Sequence, residues 1–560
     1  MATAPIPQDV VNNATSKIQK YDVIVIGAGF SGMASLYRLR KDGFKVHVFE
    51  GASDFGGVWY WNRYPGARVD SEFPLYQLSI PEVYNSFAFS QRFPDHAEIR
   101  RYTAHVDRVL GLRKDVSFDS RVNSVVWDAA ASQWHIQTEN GLQARAKWII
   151  FASGLLHRTY TPDFPGLSNY KGVVHHSGSW PETTDVKNKR VAIIGAGATA
   201  VQITQEIGKE QGVQLSVLVR RPSYCVPIGQ RTITEEEQVS WRTYYPALFA
   251  SGRLSQGGFP GPRSETLHTS VDPKDREAHF ESMWARGGFS YLIGQYADVL
   301  IDRDANRIAY EFWKKKVRQR LTDPAKQKIL APDEPPYYFG TKRVPLERDY
   351  YDVLNQKNVE VVDLKANALE GFTEKGIKLE GEDKPREFDV VVLATGFDAF
   401  SGSLTSMGLK NKDGVDIKDV WSDGIKTYMG MTMHGFPNAF MVYTPQAPTA
   451  LSNGPTILEA QRDWICDVIS LAEKQGVKVI EAKREAEEEW KKGMNEMNEV
   501  ALFKYTDSWW TGANIPGKVA ENNTYIGGID NYEAQARAAI PEWKGFEVTP
   551  DDSQSVQSRL

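Results

Sequence analysis

Two short glycine-rich turns, Gly27-Ala-Gly29-Phe-Ser-Gly32 and Gly195-Ala-Gly197-Ala-Thr-Ala200, constrain this chain more than any other feature. Each follows an apolar, β-branched run, Tyr21-Asp-Val-Ile-Val-Ile26 in the first case and Arg190-Val-Ala-Ile-Ile194 in the second. Each leads into a stretch of helical periodicity and then a second strand, Lys45-Val-His-Val-Phe49 or Leu215-Ser-Val-Leu-Val219. Strand, glycine turn, helix and strand in that order form a βαβ unit. The glycines allow the tight turn and let the backbone approach a pyrophosphate lying at the helix amino terminus.

The two units part company where the second strand ends. In the first, Glu50 stands roughly 20 residues past the leading glycine, where a carboxylate accepts from a ribose hydroxyl. In the second, Arg220 and Arg221 occupy that place; a guanidinium grips a 2′-phosphate bidentately, whereas a carboxylate would repel it. The expected fold is therefore α/β with two Rossmann-like dinucleotide-binding domains. The first is expected to take FAD through Gly27, Gly29, Gly32 and Glu50. The second is expected to take NADPH/NADP+ through Gly195, Gly197, Thr199, Ala200, Arg220 and Arg221.

At 560 residues the chain exceeds the ~250 to 300 at which single cores stop growing, so several domains are expected. A net charge of -5 offers no basic stripe, which argues against nucleic acid as a partner. No apolar run reaches the ~18 residues of a membrane span, and Met1 to Lys20 lacks the basic flank and apolar core of a secretory signal. Only Cys225 and Cys466 are present, outside any metal-binding or redox spacing, so no metal site is expected and a reducing, cytoplasmic setting fits. The Asn13-Ala-Thr15 sequon is then idle. The final Ser558-Arg559-Leu560 differs by one basic exchange from the Ser-Lys-Leu peroxisomal address, which makes the peroxisome a second expectation for a eukaryotic protein.

Between the two units runs Tyr170-Lys-Gly172-Val-Val-His-His176-Ser-Gly-Ser-Trp180-Pro181. Its pattern resembles the fingerprint of the type I Baeyer-Villiger monooxygenases, flavoenzymes that insert oxygen beside a ketone carbonyl, with Tyr170 where that family usually has Phe. A second run, Gly56-Gly57-Val58-Trp59-Tyr60-Trp61-Asn-Arg63-Tyr-Pro65-Gly66-Ala-Arg68-Val-Asp70, is too aromatic and charged for a plain loop and resembles the same family's flavin-contacting segment. The resemblance extends over roughly Tyr21 to Gly545. It implies flavin contacts at Gly57, Val58, Trp59, Tyr60, Trp61, Arg68, Asp70, Tyr76 and Val122. It also implies a catalytic arginine at Arg343 with Asp70 beside it, a 2′-phosphate contact at Lys342, and a loop closing over NADP+ through Trp509. The activity implied is oxidation of a ketone to an ester or lactone with NADPH and O2, through a C4a-peroxyflavin and a tetrahedral adduct, with sulfoxidation as a side activity. Neither His175 nor His176 is needed as a base, and His176 is assigned to motion and alignment.

The runs Lys147–Gly154 and Phe388–Asp398 both close on Ala-(Ser/Thr)-Gly and read as crossings between domains. The expected division is a tail over 1–20, an FAD domain over 21–155 and 388–545, and an NADP domain over 156–224 and 336–387. A helical insertion over 225–335 and a tail over 546–560 complete it. Within the insertion Thr234-Glu-Glu-Glu237 reads as a capping box, Asp272-Pro273 as a helix start and Asp323-Pro324 as a helix end. A monomer is the expected state. Two alternatives share the cofactor sites: a flavin monooxygenase of amines and sulfides, and an NADPH-reducible flavin sensor without ketone turnover.

Overall fold

The computed structural model describes residues 18–261 and 264–551. The Asn13-Ala-Thr15 sequon and the Ser558-Arg559-Leu560 tripeptide lie outside the described residues. Two sheets carry the architecture. The first runs in the order Val116–Ser117, Val46–Phe49, Gln19–Ile26, Gln143–Phe151, Gln133–Thr138, Val122–Asp128, and Ala439–Met441 also pairs with Gln143–Phe151. Its central strands are parallel, with Val25 opposite Val48 on one side and Ile150 on the other. Val23, Ile24 and Val25 are wholly buried, the mark of a strand covered on both faces.

The second sheet is parallel throughout, in the order Val359–Asp363, Gln214–Val219, Arg190–Ile194, Val390–Leu393, Val173–His176. Fingerprint helices Phe30–Lys41 and Ala198–Ile207 start at Gly29 and Gly197. Neither has a side-chain cap, so their first N–H groups remain free for an anion.

Both units are wired alike. Gly27 N–H donates to the Phe49 carbonyl and Ala152 N–H to that of Ile26; in the second unit Gly195 donates to Leu218 and Ala394 to Ile194. The leading glycine is forced in both. Gly27 (φ +103) would place a Cβ 2.6 Å from the Ala152 oxygen, and Gly195 (φ +131) one 2.5 Å from that of Ala394.

Four boundaries differ from the sequence reading. Val390–Leu393 was expected to re-enter the first domain, but it lies in the second sheet between Arg190–Ile194 and Val173–His176. A buried apolar run fits either sheet, and only pairing decides. The crossing itself comes a few residues later, where Tyr160 N–H donates to the Gly396 carbonyl at 2.9 Å and Asp398 N–H to that of Arg158 at 2.8 Å. At the ends, pairing already begins at Gln19 opposite Ala144, and Phe546–Pro550, expected as tail, is a strand antiparallel to Val477–Ala482. Finally, Asp323-Pro324 follows the end of helix Arg303–Arg320 but also starts helix Pro324–Leu330, with Asp323 accepting from the Ala325 N–H. Thr234 and Asp272 cap their helices as expected. Helices fill most of residues 235–330.

Candidate active site

The centre of the site is an ion pair between residues 273 positions apart in the chain. Arg343 Nε and Nη2 donate to Asp70 Oδ2 and Oδ1 at 2.5 and 2.8 Å, a bidentate fork. Its Nη1 donates to the carbonyls of Ala450 and Ser452 at 3.1 and 3.3 Å, and its plane lies over Phe289, 4.7 Å from the ring centre. Burial works against the Arg343 charge, but Asp70 more than offsets it and moves the pKa up. Of five guanidinium hydrogens these bonds use four, leaving one on Nη2 for an incoming oxyanion.

Asp70 closes the aromatic run predicted from sequence. Gly56 (φ +134) and Gly57 (φ +55) bend the backbone into the short helix Val58–Trp61, and Gly57 packs so closely on Gly29 that a Cβ would meet its Cα at 2.9 Å. Trp59 Nε1 donates to Tyr76 Oη at 3.0 Å, their rings edge to face. The structure thus brings Gly29, Gly57, Trp59 and Tyr76 to one wall, and Tyr76 feels the charges of Asp70 and Arg343. Arg68 is placed differently. Its guanidinium bonds Gln91 Oε1 and the Phe93 carbonyl rather than the Arg343–Asp70 pair.

At the end of strand Val46–Phe49, Glu50 is buried and accepts from Ala28 N–H at 2.6 Å and Ala52 N–H at 2.7 Å. Burial pushes its carboxyl pKa up, while these N–H groups and Arg121 hold it down. Val122 lies buried beside it in sequence from Arg121, which the sequence reading missed together with His157. Arg121 reaches His157 at 2.6 Å and lies over Trp61, and burial with that neighbouring charge pushes His157 down to about 4. A lone arginine before a strand has no spacing signal that could have marked it.

In the second unit, Arg220 and Arg221 are exposed at the end of Gln214–Val219 and face Lys342. Burial and these two guanidiniums push the Lys342 ammonium down to about 8, with only Asp507 opposing. Such crowding of cations fits a site shaped for a phosphate. Gly197 meets nothing within 4 Å of a would-be Cβ, so the approach to the helix start is open. Thr199 and Ala200 sit in the first turn of that helix.

Trp509 stacks on Phe400, 5.6 Å between ring centres. Its loop is tied to the crossing segment: Asn514 Nδ2 donates to the Phe397 carbonyl at 2.9 Å, and Lys518 pairs with Asp398. The linker motif ends at the same crossing. Tyr170 Oη donates to the Phe388 carbonyl at 2.9 Å and folds over Gly172, where a Cβ would lie 2.2 Å from that hydroxyl. His176 Nδ1 accepts from Gly178 N–H, its ring edge-on to Phe397, and Trp180 packs on His175 ahead of Pro181.

The sequence aligns along nearly its whole length with proteins of known class. It is 42% identical to the FAD-binding monooxygenase acrE of Aspergillus aculeatus over 96% of this chain and 90% of that one. With the cyclopentanone 1,2-monooxygenase of Comamonas sp. it shares 39% identity over 95% and 96%. The chain belongs to the type I Baeyer-Villiger monooxygenases. The flavin-binding monooxygenase-like family profile matches residues 20–227. Among solved Baeyer-Villiger enzymes, cyclohexanone monooxygenase from Rhodococcus sp. Phi1 bound to NADP+ superposes with a TM-score of 0.91 at 34% identity, over 95% of this chain and 100% of that one. The two-domain dinucleotide-binding fold is thus the fold of this Baeyer-Villiger monooxygenase.

Proposed function

We propose that the protein is an NADPH- and O2-dependent flavin monooxygenase that converts a ketone to an ester or lactone. The observation that carries this reading is the half-buried Arg343–Asp70 fork, a fixed cation with one donor to spare at the meeting point of both units. FAD, when bound, supplies electron acceptance from NADPH and the activation of O2. The residues of the chain do the rest. Glu50 and the free N–H groups of helix Phe30–Lys41 suit the flavin nucleotide, with Val58, Trp59, Tyr60, Trp61 and Tyr76 as its wall. Arg220, Arg221 and Lys342 suit the 2′-phosphate. Arg343 stabilises negative charge on oxygen next to the carbonyl carbon, with Asp70 holding its orientation. The Trp509 loop excludes water from the reacting groups.

The first domain would hold FAD and the second NADPH. Monomeric state and a cytoplasmic setting are part of this proposal; a uniform 63.0 kDa species in sedimentation and diffuse fluorescence of an amino-terminally tagged chain would support them, and punctate fluorescence would favour the peroxisomal alternative. Among the described residues no helix is long and apolar enough to cross a membrane.

The enzymatic reading is tested with isotopically heavy O2, NADPH and a panel of cyclic ketones, aryl ketones, thioethers and amines. One heavy oxygen in an ester or lactone is expected. Labelled sulfoxide or amine oxide without ester would overturn the ketone assignment, and hydrogen peroxide alone would favour a sensor or oxidase.

A further inference from the structure

The aromatic loop that walls the flavin side also touches the other unit. Its outer face, Arg63 to Arg68, rests on the second fingerprint helix. Thr199 Oγ1 donates to Tyr64 Oη at 3.4 Å, Tyr64 Oη donates to Gln202 Oε1 at 2.9 Å, and Gln202 Nε2 donates to the Arg68 carbonyl at 3.3 Å. The chain of donation runs one way, from the first turn of the helix to a backbone carbonyl two residues before Asp70. Tyr64 and Gln202 are each 8% exposed, so water cannot readily replace either partner. Gly66 (φ +82) seals the contact, since a Cβ there would stand 2.6 Å from the Gln202 carbonyl oxygen. A second tie lies alongside: Arg63 and Arg100 both bond Glu182, which follows Trp180-Pro181 of the linker.

We propose that Tyr64 is a positioning residue that transmits occupancy of the NADP site to the Asp70–Arg343 pair. This rests on the reading of the second unit as that site. Phosphate oxygens bound by the free N–H groups of helix Ala198–Ile207 fix its first turn, Thr199 fixes Tyr64, and the loop ending in Asp70 loses its freedom to shift. Coupling of this kind is reciprocal: the factor by which NADP+ steadies the loop is the factor by which the loop tightens NADP+.

The test is amide hydrogen exchange over residues 60–70 of the FAD-loaded enzyme, with and without NADP+. In the unmodified protein NADP+ slows exchange across this loop. Tyr64→Phe keeps the exchange of the NADP+-free protein but loses the slowing, and its NADP+ affinity falls about fivefold. Thr199→Val does the same, the double variant is no worse than either single one, and Thr199→Ser retains the slowing. Ester formed per NADPH falls in step. Slowing undiminished in Tyr64→Phe would overturn the proposal, as would a loop loosened equally in both states, the sign of a purely structural tyrosine. Absence of any NADP+ protection at Arg220, Arg221 and Lys342 in the unmodified protein would overturn the NADP assignment as well, which separates the two failures.

Discussion

The two nucleotide-binding units share one wiring and differ in what closes their second strand. In the first, Glu50 is buried and both its oxygens are occupied by backbone N–H groups, so the carboxylate belongs to the folded turn whether or not a ligand is present. In the second, Arg220 and Arg221 stand exposed and crowd Lys342, with Asp507, 3.5 Å from Arg221, set against the three cations. A site wired into its own backbone suits a cofactor that stays. A site with cations in excess suits one that comes and goes, because the strain of like charges is relieved further while phosphate is bound.

The strongest way to probe this contrast is at the pair that spans both units. Arg343→Ala is expected to lower ester formation about a thousandfold while NADPH still bleaches the flavin, read by stopped-flow absorbance beside product analysis. Retained ester yield would show that the pair plays no part in chemistry. Next comes the strand-end charge: Arg220→Glu should cut kcat/KM for NADPH about a hundredfold and leave NADH nearly unaffected, as carboxylate and 2′-phosphate repel. An equal loss with both nucleotides would erase the distinction.

The glycines give a finer comparison. Gly27→Ala pushes a methyl against the Ala152 carbonyl at a positive φ and should lower the melting temperature and strip FAD. Gly197→Ala meets no protein atom, so its melting temperature should hold while NADP+ affinity falls about tenfold, from loss of close approach to the pyrophosphate. The smallest effect is on pH. Lys342, pushed down to about 8 in the free enzyme, is charged below that pH and neutral above it, so NADPH binding weakens as pH rises through it. The loss should be about threefold between about pH 7.5 and about 8.5, and absent with NADH, which offers Lys342 no phosphate. A pH-independent KM for NADPH would place Lys342 away from the nucleotide.

Local signals read well from sequence because their cause is local. A glycine that must turn, a cap such as Asp272 and an acid or base at a strand end are each dictated by neighbours in the chain, and the structure has these features at those positions. The loop from Val58 to Asp70 stands out by its aromatic and charged composition, but the roles of its residues and of the basic pair Lys342-Arg343 came only from resemblance to a family, since spacing alone does not say that residues 70 and 343 touch. Pairing partners were beyond reach. Val390–Leu393 is apolar enough for either sheet, and Phe546–Pro550 looks polar because only one edge of it is covered. Tyr64, Gln202, Arg121 and His157 escaped for a similar reason, their roles arising from contacts between segments that no periodicity announces.

The segments that carry the chain out of the first domain and back again lie side by side, Thr159 bridged to Phe397 by hydrogen bonds between Arg158, Tyr160, Gly396 and Asp398. The intervening segment is therefore a cassette entered and left through one neck, and it is clasped to its host a second time where Asp70 meets Arg343 and Tyr64 meets Gln202. Its ends already meet, so a related cassette of different nucleotide preference could be ligated in at that neck without stretching the host, provided it brings its own partners for Asp70 and Tyr64.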